Sequence, residues 1–376
     1  METGAEVLIL GGGVAGCAAA LALVQAGVGP LTLLDRPLAA PFPIGESATP
    51  DVPLSLEKLG LSGDLAAQGH RPHHATLASW GCKLVFNEFL ARGMGPGWHL
   101  DRARFNAGLR HAAQERIVDG GGTVETQTQP IRIERHRQAW RVDLGSQGTV
   151  TARFLIDAGG RAAPLARRLR VRRHRFDRQI ALAVLAPEAG AALSGISLVE
   201  TEALGWWYAA PLPQGGAIVA LMTDDDVARD HRLRDPDVFL ERWRATKVLA
   251  ERVAPPTAVS RPHAFAAHGV CLSRAAGPGW AAVGDALIGS DPLTSSGIAA
   301  ALSDALAAAQ LIVAELSGAG PQAAIAYAQR ANRAVNRFLS DRQALWQAET
   351  AWRASPYWNR RRMDPGPCQA GSMPCS

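Results

Sequence analysis

Three glycines near the amino terminus have the spacing of a phosphate-binding turn. Gly11, Gly13 and Gly16 follow an apolar run and precede an alanine-rich one. In such a turn the first glycine permits a tight bend, the second lets the backbone approach a pyrophosphate, and the third lets helix and strand pack closely. Asp35, about 20 positions on, is placed to bind a ribose, and Arg36 beside it is a further candidate contact. The pattern predicts a dinucleotide site in a βαβ unit.

Two later segments each place a carboxylate after an apolar run. Asp157 and Gly159 follow residues 154–156, and Asp285 follows residues 281–283. Each segment alone is common. Together with the glycine turn, and in this order, they resemble the FAD-binding pattern of the flavin monooxygenase superfamily, which includes aromatic hydroxylases and flavin-dependent halogenases. The resemblance implies FAD as the cofactor.

Residues 43–50 and 291–298 resemble the flavin-lining loops of the halogenase branch. Small residues in such loops let backbone amides approach the isoalloxazine ring. The resemblance also implies that Asp285 holds the ribityl chain and that Arg102 lies near the phosphate side of the flavin. It therefore adds these candidate cofactor-binding residues: Ser47, Arg102, Asp285, Pro292, Gly297 and Ile298.

The sequence departs from the tryptophan halogenases where their chemistry takes place. Those enzymes use a lysine shortly before a tryptophan that corresponds to Trp80, and this chain has residues 72–74, Pro-His-His, there. They carry a glutamate in the Asp-Pro loop, where this chain has Thr294. Their Trp-x-Trp-x-Ile-Pro motif is replaced by residues 206–211, Trp-Trp-Tyr-Ala-Ala-Pro.

The motif forms that are present resemble the LodB-like flavoproteins of tryptophylquinone cofactor biogenesis. They include Gly-Glu-Ser-x-x-Pro at 45–50, Ser-Trp-Gly at 79–81 and Gly-Trp-His-Leu-Asp-Arg at 97–102. The resemblance implies an FAD-dependent monooxygenase that hydroxylates a tryptophan-like ring through a flavin C4a-hydroperoxide. A peptidyl tryptophan in the precursor of a quinone-cofactor oxidase is the candidate substrate, with NAD(P)H or a flavin reductase as the electron source.

Several side chains are candidates for the chemistry itself. Aromatic residues in the motifs are candidates for a substrate pocket, although large aromatic residues also build cores. Histidines in the same segments are candidates for proton transfer or for structural hydrogen bonds. The candidate catalytic residues are Glu46, Trp206, Tyr208 and Ser296, the other pocket candidates are Trp80, Trp98 and Trp207, and the histidines are His73, His74 and His99.

The elements that position these residues predict an α/β fold class. We expect a discontinuous Rossmann-type FAD-binding domain, a second domain built on an antiparallel sheet, and carboxyl-terminal helices. A small meander within residues 123–157 closes onto a core strand, and residues 280–283 form a return strand. The predicted boundaries are 1–83, 96–167 and 256–320 for the FAD-binding domain, 84–95 and 168–255 for the substrate domain, 321–363 for the helices and 364–376 for a flexible tail.

Composition narrows the classes of protein. The net charge is +5, but the arginines occur without the interleaved aromatic residues of a nucleic-acid module. The 5 cysteines lack Cys-x-x-Cys spacing, so neither a disulfide framework nor a metal site is expected. No secretory signal is recognisable, and the apolar residues 297–316 contain Ser303, Asp304 and Gln310, as a buried helix would. We expect a cytoplasmic protein without nucleic-acid or membrane partners.

Three other functions stay open from the sequence. A flavin-dependent halogenase would give a halogenated product. A small-molecule aromatic hydroxylase would act on free aromatic compounds without a partner. A non-catalytic flavin-binding protein would dock to an oxidase precursor without oxygen-dependent modification of it.

Overall fold

The computed structural model of the chain describes residues 2–36, 42, 44–126, 132–187 and 189–363. Within them the chain forms two large sheets, two three-stranded sheets and a helical segment at the carboxyl end. The predicted α/β fold class is confirmed. Pro43, and the predicted tail at 364–376 with Cys368 and Cys375, lie outside the described residues.

The strands are short in the connecting sheets and longer in the two large sheets. In chain order they are β1 Glu2–Leu10, β2 Leu31–Asp35, β3 Ser47–Ala48, β4 Arg71–His73, β5 Ala75–Trp80, β6 Lys83–Glu88, β7 Gly97–His99, β8 Thr123–Thr126, β9 Arg132–His136, β10 Ala139–Asp143, β11 Thr149–Asp157, β12 Arg173–Arg175, β13 Gln179–Ala186, β14 Ile196–Glu202, β15 Gly205–Pro211, β16 Ala217–Asp224, β17 His263–Ala266, β18 Val270–Leu272, β19 Ala276–Gly277, β20 Trp280–Ala282 and β21 Ile288–Gly289.

The helices surround the first sheet, cover one face of the second and form the carboxyl end. They are α1 Val14–Gln25, α2 Val52–Lys58, α3 Arg102–Asp119, α4 Pro164–Arg168, α5 Asp225–Asp230, α6 Pro236–Arg244, α7 Val248–Arg252, α8 Gly297–Leu316, α9 Gly320–Ala348 and α10 Pro356–Met363.

The first large sheet is the nucleotide-binding type. Its strand β1 lies between β11 and β2, and both pairs are parallel. Strands β8 and β20 extend the parallel sheet on either side. Because such a sheet is covered on both faces, residues 7–10 are apolar without alternation. The carboxyl ends of β1, β11 and β20 lie at one edge of the sheet, where ligands of open α/β sheets bind.

The second large sheet has the strand order β17-β13-β16-β15-β14-β5-β6. Its pairs are antiparallel apart from β14 with β5. Helices α5, α6 and α7 cover one face, and α9 and α10 pack on part of the other. Successive side chains of a strand point to opposite faces, so residues 206 and 208 share one face and residue 207 lies on the other.

Strand pairing differs from the predicted organisation in three places. Strand β5, expected within the FAD-binding domain, pairs with β14 in the second sheet, and β17 joins the same sheet through β13. Strand β8 pairs with β2 and takes no part in the meander, which consists of β9, β10 and β11. These pairings join segments far apart in the chain, which local patterns do not reveal. Helix α3, which packs against α1, was not predicted.

Helix α8 is long and apolar enough to cross a membrane by length and composition. In the protein it packs against α1, α2 and α9. Its buried Asp304 accepts a hydrogen bond from the Gly284 N–H at 3.1 Å and pairs with Arg330. The polar residue inside the apolar run therefore fixes the helix to the turn that carries Asp285.

Candidate functional site

A cavity of about 380 Å³ lies between the edge of the first sheet and the inner face of the second. Its wall combines the glycine turn, three carboxyl groups of which two are buried, two arginines and small apolar side chains of the second sheet. The residues predicted from the sequence that line it are Gly13, Glu46, Ser47, Arg102, Trp206, Tyr208, Asp285, Pro292, Ser296, Gly297 and Ile298.

The glycine turn leaves open space at one position and none at the other two. A Cβ atom on Gly11 would lie 2.3 Å from the Ala158 carbonyl oxygen, and one on Gly16 would lie 1.8 Å from that of Gly11. A Cβ atom on Gly13 would have no described neighbour within 4 Å. Helix α1 begins directly after Gly13, and no side chain caps its first turn. Free amides and open space together make a cradle for a pyrophosphate.

Asp35 ends β2 beside the glycine turn. A Cβ atom on Gly12 would lie 2.5 Å from its Oδ1 atom. Its Oδ2 atom forms an ion pair with Arg110 Nη1 at 3.1 Å. Arg110 lies on the unpredicted helix α3, so the sequence analysis missed it. Arg36 is exposed and lies outside the cavity wall.

Asp157 and Gly159 support the turn around the cavity and do not line it. The Asp157 carboxylate accepts hydrogen bonds from the Gly159 N–H at 3.1 Å and the Ala166 N–H at 2.9 Å. A Cβ atom on Gly159 would meet Pro164 Cδ at 2.3 Å. Their neighbours Ala158 and Gly160 line the cavity, and a contact of Asp157 or Gly159 with the cofactor stays a prediction.

Two arginines hold the loops of the cavity. Arg102 donates from Nη1 to the carbonyl oxygens of Ile44 and Gly45, both at 2.8 Å. Arg161, which the sequence analysis did not select, pairs with Asp285 at 3.2 Å and donates to the Ser290 carbonyl oxygen at 2.7 Å. Both arginines line the cavity and place positive charge where a phosphate-bearing cofactor would lie.

The loop from Asp291 to Ser296 leads into α8. The Asp291 Oδ1 atom accepts a hydrogen bond from the Leu293 N–H at 2.9 Å. Ser295 has a left-handed backbone with φ of 51°, and the Ser296 hydroxyl group lies 2.8 Å from that of Thr294. This tight turn brings Pro292 and the backbone before Ile298 to the cavity.

Glu46 is one of two buried carboxyl groups in the cavity wall, the other being Asp291. The Glu46 side chain is 2% exposed, and neither oxygen has a hydrogen-bond partner among the described residues. Burial raises the pKa of Glu46 to about 7, against the opposing effects of its own backbone N–H, the charge of Arg102 and the Gly45 backbone. An unpartnered carboxyl group that titrates near neutral pH suits proton transfer.

Tyr208 lies beside Glu46 in a network of hydroxyl groups. Its phenol oxygen is 2.8 Å from Ser47 Oγ, which is 2.9 Å from Ser197 Oγ and 3.5 Å from His99 Nδ1. Burial, and the nearby charge of Glu46, raise the pKa of Tyr208 above its ordinary value. The phenol therefore stays neutral and acts through its hydrogen bonds.

The aromatic candidates divide between the cavity and the core. Trp206 and Tyr208 line the cavity, whereas Trp207 packs on the opposite face of the sheet against Phe239 at 5.0 Å. Trp80 lies behind Trp206, with ring centroids 6.2 Å apart, and Trp98 contacts the edge of the core around the first sheet. The alternation of side chains along β15 explains why adjacent tryptophans separate.

Two histidines are stacked close to Ser47. The rings of His73 and His99 have centroids 4.3 Å apart, and both side chains are buried. His73 donates from Nε2 to the Ala75 carbonyl oxygen at 2.8 Å. Burial lowers the pKa of His73 to about 4 and that of His99 well below its ordinary value. His74 is exposed.

These features fit FAD. The open position at Gly13 and the uncapped start of α1 suit a pyrophosphate. Asp35 stands at the end of β2 for a ribose, and the loops at 44–47 and 291–298 border an apolar cavity for a flat ring system. The cavity extends to Ala181, Ala183 and Ala220, whose small side chains keep this part of the wall open.

Comparison with known proteins supports the assignment of FAD to this cavity. The model of the family "Tryptophan halogenase" matches residues 82–370. The chain is 27% identical to the putative FAD-dependent oxidoreductase LodB of Marinomonas mediterranea, over 95% of this chain and 96% of that protein.

Two solved structures extend the comparison. The peptidyl tryptophan dihydroxylase QhpG, described as essential for tryptophylquinone cofactor biogenesis, has a TM-score of 0.73 and 25% identity, covering 96% of this chain and 80% of QhpG. The flavin-dependent halogenase CmlS has a TM-score of 0.83 and 23% identity, covering 97% of this chain and 68% of CmlS, and shows the shared fold. The resemblance to the flavin monooxygenase and halogenase superfamily and to LodB-like flavoproteins is confirmed. The chain belongs to the tryptophan halogenase family and is an FAD-dependent oxidoreductase.

Proposed function

We propose that this enzyme is a monooxygenase that hydroxylates a tryptophan-like ring, and that the ring belongs to a tryptophan in a partner polypeptide. The proposal rests on the composition of the cavity wall, which contains no lysine among the residues that the structure describes. The chain has lysine at Lys58, Lys83 and Lys247, and all three are exposed and away from the cavity. Where the halogenase resemblance would require a lysine, the chain has Pro72, His73 and His74, and the side chain of His73 is buried.

The reaction balances as one aromatic C–H bond, dioxygen, two electrons and two protons giving one aromatic hydroxyl group and one water. FAD, when bound and reduced, supplies the electrons that activate dioxygen. We propose NAD(P)H or a flavin reductase as the source of those electrons. The protein's own residues then have to hold the ring, exclude water and move protons.

Glu46 is the proposed base of the reaction. Hydroxylation replaces a ring hydrogen, which leaves as a proton, and the Glu46 carboxylate is the unpartnered acceptor in the cavity. Tyr208 and Ser47 border the same space and orient the substrate through their hydroxyl groups. Trp206 and the alanines of the second sheet hold the ring through apolar contact. Ser296, on the opposite loop, is proposed to contact the cofactor or the substrate.

The likeness to QhpG, whose name includes a peptidyl tryptophan dihydroxylase activity, supports a peptidyl substrate. The likeness to LodB over nearly the whole length of both chains supports the same class. The family itself, and the likeness to a "Tryptophan 2-halogenase", favour halogenation as the second candidate function.

One experiment separates the two. FAD-loaded protein is given a reductant, dioxygen labelled with heavy oxygen, bromide and either free tryptophan or a tryptophan-bearing partner peptide. Labelled oxygen in the peptide, without bromine, is the expected result. Bromine in either substrate would establish the halogenase instead, and labelled oxygen in free tryptophan alone would establish a small-molecule hydroxylase.

A further inference from the structure

The side chain of Gln179 lies fully buried at the start of β13, between the cofactor loop and the last helix. Its Nε2 atom donates to Asp291 Oδ2 at 3.0 Å. Its Oε1 atom accepts a hydrogen bond from the Tyr357 hydroxyl group at 2.6 Å and another from Trp206 Nε1 at 3.4 Å. The carboxylate on one side and the donors on the other leave the amide one orientation.

The Asp291 side of this contact controls the cofactor loop. One carboxylate oxygen of Asp291 accepts from the Leu293 N–H, and the other accepts from Gln179. Asp291 itself borders the cavity together with Pro292 and Ser296. Removing the Gln179 amide would leave one oxygen of a buried carboxylate without its donor, and the loop would shift to regain a partner.

The Tyr357 side belongs to helix α10, near the end of the described chain. Arg361 of this helix forms a two-contact ion pair with Asp224, at 2.8 and 3.1 Å, and both side chains are buried. Trp358 donates from Nε1 to the Glu202 carbonyl oxygen at 2.7 Å. These contacts fasten the helix to the second sheet, so Tyr357 approaches Gln179 from a fixed position.

We propose that Gln179 is a positioning residue through which the carboxyl-terminal helix α10 holds both the Asp291 loop and Trp206 in place for FAD. Its amide accepts from Tyr357 and, at 3.4 Å, from Arg361 of α10, and it contacts Asp291 and Trp206 in the cavity wall. Its Nε2 atom also donates to the Ala267 carbonyl oxygen at 3.4 Å. The inference concerns the cofactor site, which is independent of whether the flavin supports hydroxylation or halogenation.

Tyr357→Phe is the mildest test, because it removes one hydroxyl group and keeps the ring in the core. Gln179→Leu removes all contacts of the amide, and the double variant completes a thermodynamic cycle. The measurements are the FAD dissociation constant and the visible circular dichroism of the bound flavin. We expect Tyr357→Phe to weaken FAD binding by about three- to tenfold, the effect of one lost hydrogen bond, and Gln179→Leu to weaken it by at least as much. The double variant should be no weaker than Gln179→Leu.

Arg360→Gln is the matched control on the same helix. Arg360 is partly exposed and pairs with Asp224 and Asp226 without contacting Gln179. It should leave the FAD dissociation constant and flavin spectrum unchanged, even where it lowers the melting temperature. A Tyr357→Phe protein that is less stable but binds FAD with wild-type affinity and spectrum would overturn the proposal. Additive effects in the double variant would overturn it as well.

Discussion

The buried carboxyl group of Glu46 gives the cavity its chemical character. No described side chain donates a hydrogen bond to the Glu46 oxygens, although the backbone N–H groups of Glu46 and Gly45 and the charge of Arg102 lie close enough to favour its charged form. The Nη1 atom of Arg102 donates its hydrogen bonds to the carbonyl oxygens of Ile44 and Gly45, which precede Glu46. The loop is therefore held while its carboxyl group stays available to a substrate.

Substituting Glu46 by Gln should slow product formation at least tenfold while FAD stays bound, because the amide cannot accept the proton. With a pKa of about 7, the carboxylate is the form present above that pH. The wild-type rate should therefore fall as the pH drops through about 7, and the variant should lack this limb. The pH profile of single-turnover product formation checks this. A Glu46→Gln enzyme with wild-type turnover would remove Glu46 from the reaction.

The same carboxyl group predicts a pH dependence of stability in the FAD-free protein. Its pKa is raised from 4.5 to about 7 on folding, so the folded state favours the protonated form. The stabilisation is present below the unfolded pKa and is lost as the pH rises through the folded pKa. Between pH 5 and pH 8 the wild type should lose about 2 to 3 kcal/mol relative to Glu46→Gln.

Denaturant unfolding of both proteins at the two pH values measures that difference. Glu241→Gln, at an exposed position of α6, is the control and should follow the wild type. Parallel pH curves for the wild type and Glu46→Gln would show that the buried carboxyl group has an ordinary pKa.

At the scale of elements, the start of α1 and the alternation along β15 shape the cavity. The glycine turn could be predicted from the sequence because its strand, turn and helix are contiguous. Arg110, Arg161 and Gln179 could not be predicted, since each meets its partner across a long separation in the chain. Trp206 and Trp207 show this limit within one strand. The period of two predicts that they lie on opposite faces of the sheet, but only the packing of the sheets decides that the face of Trp206 lines the cavity.

Gly13→Ala tests the proposed pyrophosphate site separately from the stability of the fold. The added methyl group meets no described atom within 4 Å, so the melting temperature of the FAD-free protein should stay close to wild type. It would occupy the space assigned to the pyrophosphate, and FAD affinity should fall by at least about tenfold. Gly4→Ala, also without a neighbour within 4 Å, is the control. Full FAD affinity in Gly13→Ala, measured by flavin fluorescence, would place the phosphates elsewhere.

Adjacent tryptophans provide a paired test of β15. Trp206→Phe replaces the indole in the cavity wall with a smaller phenyl ring and should raise the KM for the aromatic substrate several-fold. Trp207→Phe creates a space against Phe239 on the opposite face, so it should lower the unfolding free energy by about 1 to 3 kcal/mol with the KM preserved. Steady-state kinetics and denaturant unfolding of both variants give the comparison. Equal effects on KM would contradict the assignment of the cavity face.

At the scale of the whole molecule, the site forms between the two large sheets, and the carboxyl-terminal helix α10 contacts it through Gln179. The order of motifs along the chain predicted the FAD-binding sheet and the family. The sequence did not reveal that β5 and β17 belong to the second sheet, because their partners β14 and β13 lie far away in sequence. The small side chains of the second sheet and the exposed positions of the three lysines are the observations on which the proposed oxygen transfer rests.

The most direct test of this account is the mass of a tryptophan-bearing partner peptide after one reaction with the FAD-loaded protein, a reductant, labelled dioxygen and bromide. Tandem mass spectrometry locates any added atom on the peptide. We predict labelled oxygen on the tryptophan ring and no bromine. Bromine on that ring would contradict the account and identify the chain as a halogenase.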